Sequence, residues 1–385
     1  MIRLPGLIDT HVHLREPGAT QKEDFETGTM AAIAGGYTTI LDMPNNPEPT
    51  VSPHALQKKI YLARGASEDR PKPEGERRSR LRRSSERSDF EDQEVRSSEL
   101  HRIYCDMGFH FGASPDSIAH FQKVAKKVFA LKVYMNHTTG TLLIEDQKLL
   151  ERVFSSWPSN KVIMVHAEGK TLEKAIHLAA KFNKKLHVCH LSLKEQLEMV
   201  KKAKLSGLPV TCEVTAHHLF LTDKDVKHLG PFGLMRPPLA SKFDQNALWK
   251  DIDFIDTIAS DHAPHTVDEK NQNPPPNGVP GLETTLPLLL NAVSGGRLSM
   301  GRLIDMTSVK PRHIFDIPAQ PDTYIEVDLK KPYTINNNLY TKCGWTPFKE
   351  MRVKGKVKRV ILRGRVVFEN GKFKGKPSGQ VIYPN

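Results

Sequence analysis

The sequence contains few of the features that would place the protein in an oxidising compartment or in a membrane. Its four cysteines, Cys105, Cys189, Cys212 and Cys343, are too few for a disulfide framework in 385 residues. No apolar run approaches the roughly 18 residues that a membrane span needs. The start of the chain lacks the apolar core of a signal peptide. We therefore expect reduced thiols, no membrane association and a cytoplasmic location.

The composition is that of an ordinary globular protein, with 38% hydrophobic and 26% charged residues. At about 150 residues per domain the length predicts two or three domains. A single α/β barrel of roughly 250 residues with appendages fits the length equally well.

The net charge of +12 is concentrated near the C-terminus. The segment from 352 to 376 contains ten lysines and arginines but only one acidic residue, Glu369. They alternate with Val, Ile and Leu, which predicts strands with one solvated face. A nucleic-acid surface is the less favoured interpretation, because aromatic residues for base stacking are not interleaved. An anionic small substrate is a further explanation of the charge.

Short apolar segments alternate with helical patterns along most of the chain, which is typical of α/β proteins. Eight strands with intervening helices favour a closed parallel barrel, whose active site forms at the C-terminal ends of the strands. The predicted strands are 6–11, 38–43, 103–111, 130–134, 161–166, 186–190, 209–214 and 257–261. The clearest helical patterns are 23–34, 146–154, 172–182, 194–205 and 283–293.

The chain is expected to divide into a barrel over 1–320 and a small β appendage over 321–385, built from strands between 353 and 368. Segment 67–100 interrupts this pattern, because its Ser, Arg and Glu residues cannot bury enough apolar surface to order. We expect a disordered insertion between the second and third strands. It could be a regulatory loop, an RNA-binding arm or retained intron sequence, and its nearly balanced charge weakens the RNA interpretation.

Metal-competent side chains recur at the ends of the predicted strands. The first strand ends in His11 and His13, whose alternation places both imidazoles on one side. Such a pair is weak evidence alone, but four later strands end similarly, and all would converge at one barrel mouth as a divalent metal site. The later residues are His166, Cys189, His190, Glu213 and Asp261.

Lys132 occupies an inward-facing position on the fourth predicted strand, beside these ligands. Metal ions would repel a cationic amine, so the side chain is either displaced or modified. A carbamylated lysine could bridge two metals with its added carboxylate. A salt-bridged barrel lysine is the alternative.

Together the motifs GLIDTHVHLREPG, DMPNN, LKVYMN, VHAE, HVCH, TCEVTAHHL and SDHAPHT resemble the dihydroorotases of the amidohydrolase superfamily. The resemblance is greatest to the dihydroorotase domain of the animal multifunctional pyrimidine-synthesis protein, and covers nearly the whole chain apart from 67–100. It implies a (β/α)8 TIM barrel of the metallo-dependent hydrolase type. It also implies reversible cyclisation of N-carbamoyl-L-aspartate to L-dihydroorotate in de novo pyrimidine biosynthesis.

The resemblance also implies a set of zinc ligands. One Zn²⁺ would be bound by His11, His13, carbamylated Lys132 and Asp261, and a second by Lys132, His166 and His190. A third would involve Cys189 and Glu213, although Cys189 could equally be a buried apolar thiol.

Catalysis would use a metal-bridging hydroxide that attacks the ring amide, with Asp261 as the acid and base. Arg15 can offer a bidentate fork to the substrate carboxylate. By resemblance, Asn45 and His265 complete that pocket, and the remaining substrate contacts come from Thr138, Arg236 and the backbone near Asn277. Thr139 stands where the family has a phenylalanine, and this change should weaken exclusion of water.

Other functions remain open at this point. A dihydropyrimidinase, hydantoinase or allantoinase would share the barrel and metals, but generally lacks an arginine at the position of Arg15. A non-catalytic scaffold would not need so many polar groups at one mouth. We expect a homodimer, and the start at Met1 suggests a fragment of a polyprotein that also contains aspartate transcarbamoylase.

Overall fold

The computed structural model describes residues 1–65, 102–138 and 140–385. The insertion expected at 67–100 and the position of Thr139 lie outside these ranges, so both expectations remain predictions. Within the described residues, no helix combines the length and the apolar character that a membrane crossing requires.

The strands of the described residues form an α/β barrel and a separate antiparallel sheet. They are β1 (Ile2–Pro5), β2 (Leu7–Val12), β3 (Tyr37–Asp42), β4 (Asp106–Phe109), β5 (Phe111–Gly112), β6 (Ala130–Tyr134), β7 (Val162–His166), β8 (Lys185–Val188), β9 (Val210–Thr215), β10 (Thr257–Ala259), β11 (Tyr324–Thr334), β12 (Arg352–Leu362), β13 (Arg365–Glu369) and β14 (Lys372–Phe373).

Helices follow most of the barrel strands. They are α1 (Phe25–Ala34), α2 (Pro53–Ala63), α3 (Phe121–Val124), α4 (Gln147–Ser156), α5 (Lys170–Lys181), α6 (Lys194–Leu205), α7 (Ala216–Phe220), α8 (Asp223–Leu229), α9 (Lys242–Lys250), α10 (Val267–Lys270), α11 (Leu282–Ser294), α12 (Met300–Ile304) and α13 (Lys310–Ile314). Short 3₁₀ turns occupy Asp116–His120, Gly230–Gly233 and Ile252–Phe254, and a π-helical turn occupies Asp305–Val309.

Eight parallel strands close the barrel, as predicted. Strands β2, β3 and β4 pair in one parallel arc, and β5 to β10 pair in the other. Strands β4 and β5 are two parts of one barrel strand, separated by His110. Closure occurs between β2 and β10, where Val12 bridges to His262 and the His13 N–H donates to the His262 carbonyl at 2.8 Å. The C-terminal ends of the strands therefore meet at one mouth.

Three predicted strands differ from the observed strands by two or more residues at one end. The strands expected to reach His190 and Asp261 stop at Val188 and Ala259, because His190 and Asp261 adopt φ angles of +35° and +46° that no strand accommodates. The strand expected from residue 103 begins at Asp106. The preceding Ile103 instead accepts a hydrogen bond from the N–H of Gly379, near the C-terminus, at 2.9 Å.

Helix α1 shows how the sequence sets an element boundary. The pattern predicted a helix from residue 23, but Asp24 is the N-cap and accepts from the Thr27 N–H at 2.8 Å. Glu23 is thereby directed into the protein, where it is fully buried. The apolar residues of the helix, among them Phe25, Ala32 and Ile33, pack into the core.

The appendage is a five-stranded antiparallel sheet in the order β1–β11–β12–β13–β14. It includes the N-terminal strand β1, which is not among the strands predicted from the sequence. The alternation predicted for the basic segment is confirmed on β12, where Val353 and Val357 are buried while Lys354 and Lys356 are exposed. Gly6 joins β1 to β2, and a Cβ there would lie 2.2 Å from Thr38 Oγ1. Only glycine fits this connection between appendage and barrel.

Candidate metal centre

His11, at the C-terminal end of β2, lies at the centre of the barrel mouth. Its Nε2 is 3.4 Å from Asp261 Oδ1, and its Nδ1 contacts Glu213 Oε1. The potential ligand atoms of His11, His190 and Asp261 lie within 4.8 Å of one another, and those of His11, Cys189 and Glu213 do the same. The strand ends thus form two adjacent candidate metal-binding groups that share one imidazole.

His13 adjoins the first group. Its Nε2 lies 3.1 Å from Asp261 Oδ1, and its Nδ1 lies 2.7 Å from Asn45 Oδ1. Burial lowers the pKa of His13 to about 4, although Asp261 opposes this shift. The ring is therefore neutral near pH 7, which is the form that binds metals.

His166 and His190 face each other across the mouth, with Nδ1 of His166 2.9 Å from Nε2 of His190. Burial lowers the pKa of His166 to about 3 and that of His190 well below its usual range. The outer nitrogens of the two rings are buried and have no hydrogen-bond partner in the described ranges. Two neutral imidazoles that face one point fit a divalent cation.

The carboxylates give the mouth an electrostatic preference for a cation. Burial and Lys132 favour neutral His11, but Glu213 and Asp261 raise its pKa to about 10. Burial would raise the pKa of Glu213, yet His11 and His187 bring it well below the usual value. Burial opposes ionisation of Asp261 as well, and His11 and His13 more than offset it, so its pKa is also lowered. Both carboxylates are therefore ionised, and the donor set fits a bound metal ion.

Lys132 on β6 is fully buried beside these residues. Its Nζ donates to Cys189 Sγ at 2.8 Å and lies 5.2 Å from the Tyr134 ring centroid. No acidic residue of the described chain forms an ion pair with it. The alternative of a salt-bridged barrel lysine therefore has no partner among the residues that the structure describes.

Sequence reasoning missed residues that orient the candidate ligands. His187 Nε2 lies 3.2 Å from Glu213 Oε2, and its Nδ1 lies 2.9 Å from Thr211 Oγ1. Asp9 accepts from the backbone N–H groups of His11 at 3.1 Å and Ser260. Such partners fix the orientation of metal-binding side chains. His187 could have been found, because it lies two residues before Cys189 in the predicted strand 186–190, where alternation puts both side chains on one face.

Arg15 lies at the side of the mouth and is nearly buried, with φ of +63°. Its Nε donates to the Pro264 carbonyl at 3.1 Å, and its Nη2 is 3.4 Å from His265 Nε2. The same His265 nitrogen lies 3.0 Å from the carbonyl of Asn277. Together with His190 and Asp261, Arg15 is one of three site residues in the left-handed region, where backbone strain collects at functional sites.

One cavity joins most of the predicted site residues. Cys189, Glu213 and His265 are not on its wall but lie behind Lys132, His11 and Arg15 respectively. Tyr134 is also on the wall, although no sequence motif singles it out. The lining consists of His11, His13, Arg15, Asn45, Lys132, Tyr134, Thr138, His166, His190, Arg236, Asp261, Ala263, Asn277 and Gly278.

Among solved structures, the chain resembles an L-hydantoinase (dihydropyrimidinase) from Arthrobacter aurescens, with a TM-score of 0.85 and 24% identity. That match covers 100% of this chain and 89% of the hydantoinase, and it shows the fold alone. The inactive dihydroorotase-like domain of a Chaetomium thermophilum CAD-like multifunctional protein matches with a TM-score of 0.76 and 25% identity, over 99% of both chains.

Among curated relatives, the Multifunctional protein CAD of Squalus acanthias is 42% identical over 96% of this chain. This chain spans only 15% of the length of that relative. A dihydroorotase of Pyrococcus abyssi is 35% identical over 99% of this chain and 87% of its own length. The model of the Amidohydrolase family matches residues 2–367. The chain therefore belongs to the amidohydrolase family, among the dihydroorotases.

Proposed function

We propose that this chain catalyses the reversible cyclisation of N-carbamoyl-L-aspartate to L-dihydroorotate, a step of pyrimidine biosynthesis. The similarity to the Pyrococcus dihydroorotase and to CAD supports this activity. The observation that carries it is the position of Arg15 on the same cavity wall as His11, His190 and Asp261. Opening the ring requires an activated amide, and the ring acid requires a fixed cation for its carboxylate.

The metal would be Zn²⁺, since imidazole, carboxylate and thiolate are ligands that zinc accepts. His11, His13 and Asp261 would bind one ion, and His166 and His190 a second, with Lys132 shared between them. Cys189 and Glu213, together with His11, would bind a third. When bound, zinc would lower the pKa of water toward neutrality and polarise the amide carbonyl.

Lys132 would serve this centre as a carbamate. The ammonium would first lose a proton, and the neutral amine would then add to CO2, forming an N–C bond and releasing a second proton. The side chain would thereby change from a cation to an anion with two oxygens. The proximity of His11 and His190, and the lack of an acidic partner in the described chain, support this modification. The anion would remove the repulsion between the lysine and bound cations.

Asp261 would carry the proton of the reaction. Its lowered pKa keeps it a carboxylate near neutral pH, so it can accept a proton from the attacking water. It would then donate that proton to the ring nitrogen as the amide bond breaks. In the cyclising direction the same carboxylate would remove the proton from the carbamoyl nitrogen.

Arg15 would bind the substrate carboxylate with its guanidinium, since this planar donor matches a carboxylate in a bidentate pair. Asn45 would complete this pocket from the wall, and His265 would support it from behind Arg15. Arg236, Thr138 and the backbone near Asn277 would contact the rest of the ring. A hydantoin or dihydrouracil lacks this carboxylate, so Arg15 favours the ring acid over those substrates.

The relatives named as multifunctional proteins support a place for this chain in a larger assembly. We propose a homodimer that associates with aspartate transcarbamoylase, the enzyme class that supplies N-carbamoyl-L-aspartate. Light scattering of the purified chain, alone and with the transcarbamoylase, tests both parts. A monomer that does not bind the transcarbamoylase would contradict this assembly.

The test of the activity is zinc analysis of the purified protein together with turnover in both directions. Turnover of L-dihydroorotate and N-carbamoyl-L-aspartate, with at least two zinc ions per chain, is the expected result. Hydantoin and dihydrouracil serve as comparison substrates. Preferential turnover of these neutral rings would instead favour a hydantoinase or dihydropyrimidinase. Protein that holds no zinc and turns over none of the compounds would favour a non-catalytic role, like that of the inactive domain from Chaetomium.

A further inference from the structure

Lys270, the last residue of α10, is a fully buried lysine that does not line the candidate metal cavity. Its Nζ donates to the carbonyls of Pro276 at 2.8 Å, Gly278 at 3.1 Å and Leu234 at 3.2 Å. It forms no ion pair with any acidic residue of the described chain. A buried ammonium is costly unless its N–H groups are satisfied, and three carbonyls match its three donors.

The three carbonyls belong to two segments that contribute to the cavity wall. Leu234 lies two residues before Arg236, and Pro276 and Gly278 are the neighbours of Asn277. Both Arg236 and Asn277 line the cavity. A backbone hydrogen bond from the Gly278 N–H to the Leu234 carbonyl, 2.9 Å long, joins the same two segments. The lysine therefore ties together the two loops on which these wall residues lie.

Trp345 connects Lys270 to the residues proposed to bind the substrate carboxylate. The Lys270 ammonium lies 5.6 Å from the centroid of the Trp345 ring, within the range of a cation–π contact. The indole Nε1 of Trp345 donates to the His265 carbonyl at 2.8 Å. His265 in turn contacts Arg15 and the Asn277 carbonyl. The ammonium thus contacts both the two loops that carry Arg236 and Asn277 and the Trp345 ring that supports His265.

We propose that Lys270 is a positioning residue that sets the separation of Arg236 and Asn277 and thereby the affinity of the site for the substrate ring. The inference rests on the proposed function and refines it. Lys270 contacts no reacting atom, so its loss weakens binding more than it slows the chemical step. Without the ammonium, the carbonyls of Pro276 and Gly278 lose the donor described here, and Leu234 keeps only the Gly278 N–H. The two loops are then joined by one hydrogen bond where the native protein has several.

The test compares Lys270→Met and Lys270→Gln with Lys227→Met, a control at an exposed lysine of α8. For Lys270→Met we expect the KM for L-dihydroorotate to rise about 10-fold while kcat changes less than about 3-fold. Lys270→Gln keeps N–H donors and should lie between Lys270→Met and the unsubstituted protein. Amide hydrogen exchange should quicken at Gly278 and across 271–281, with no change in the barrel strands.

Unchanged KM and unchanged exchange in folded Lys270→Met would overturn the inference, as would a fall in kcat at constant KM. If Lys270→Met does not fold, the same two measurements on Lys270→Gln decide the matter. If the unsubstituted protein turns over neither compound, the proposed function fails. The exchange at Gly278 then decides separately whether Lys270 joins the two loops.

Discussion

Glu23 Oε2 lies 3.2 Å from His262 Nε2, and neither side chain reaches solvent. The other ring nitrogen of His262 accepts from the Gly281 N–H at 3.2 Å, so Nε2 carries the proton and donates to the carboxylate. Glu23 also accepts from the Thr341 hydroxyl. His262 directly follows Asp261, the proposed general acid and base. The contact between Glu23 and His262 therefore holds the backbone next to Asp261 in place.

Replacing Glu23 with glutamine should therefore lower activity without unfolding the barrel. The neutral amide is a weaker acceptor for His262, and Asp261 would lose part of its support. We expect kcat to fall about 10- to 100-fold, as for other residues that orient metal-binding groups. Steady-state kinetics and zinc content check this, with Glu26→Gln on the exposed face of α1 as the control. Equal kcat in both variants would show that the pair is only structural.

Substitution of Cys189 distinguishes a zinc ligand from a buried apolar thiol. If the thiol binds the third ion with His11 and Glu213, Cys189→Ser should lower the zinc content by about one ion per chain. Cys212→Ser is the matched control, because Cys212 is equally buried on the next strand and faces the Phe254 carbonyl. Metal analysis by mass spectrometry measures the difference. If Cys189→Ser holds as much zinc as Cys212→Ser, Cys189 is a buried apolar thiol and not a zinc ligand.

Arg15→Lys should impair recognition of the ring acid although it preserves the charge. A lysine cannot form the bidentate pair with the carboxylate, nor can it donate from Nε to the Pro264 carbonyl. We expect kcat/KM for L-dihydroorotate to fall about 100-fold. The exposed Arg365→Lys provides the control. Undiminished kcat/KM would remove Arg15 from the substrate pocket.

Carbamylation of Lys132 predicts that zinc binding depends on CO2. Metal-free protein reconstituted in CO2-depleted buffer should take up less zinc than protein reconstituted with bicarbonate, because only the carbamate offers oxygen ligands. Intact mass measurement of the protein with bicarbonate should detect the adduct, and Lys132→Met should lack both effects. Equal zinc uptake with and without CO2 would contradict the modification.

The metal-free protein should lose stability as the pH falls from about 6.5 toward 4. Burial lowers the pKa of His110 to about 3 and that of His218 to about 4, although backbone carbonyl contacts oppose both shifts. The unfolded chain takes up protons at these positions before the folded chain does, so the free energy of unfolding decreases with acid. The loss should be roughly 3 kcal/mol per group at most.

Urea denaturation at several pH values measures this dependence. His218→Gln should reduce its slope, whereas His54→Gln, at an exposed position, should not. The same slope in His218→Gln as in His54→Gln would show that the His218 ring is not constrained to be neutral.

The candidate ligands could be predicted from sequence because they follow local rules. Alternation on β2 and the convergence of parallel strand ends place His11, His166 and Glu213 at one mouth, whatever the rest of the chain does. The contacts that orient them could not be predicted. Glu23 contacts His262, which lies more than 200 residues later in the sequence, and β1 pairs with β11, more than 300 residues later. No local sequence pattern predicts such long-range contacts.

The left-handed backbone at His190 and Asp261 was also beyond prediction. Neither residue type demands a positive φ, and each would ordinarily extend its strand. At His190 the bent backbone directs its N–H to Glu213 Oε1 at 3.3 Å, a contact between residues distant in sequence. The effect of the bend is to turn both side chains into the mouth instead of leaving them in the regular alternation of a strand.

Strand β1 pairs with β11, and Gly6 leads from β1 directly into β2, which ends at the candidate metal ligands. During synthesis, the first strand must therefore wait for more than 300 further residues before its partner leaves the ribosome. Until then Leu4, which is buried in the folded protein, lacks the cover that β11 provides. Barrel strand β2 is meanwhile joined to β1, a strand whose backbone is still unpaired. In this topology β11 completes the sheet around β1, a strand made more than 300 residues earlier.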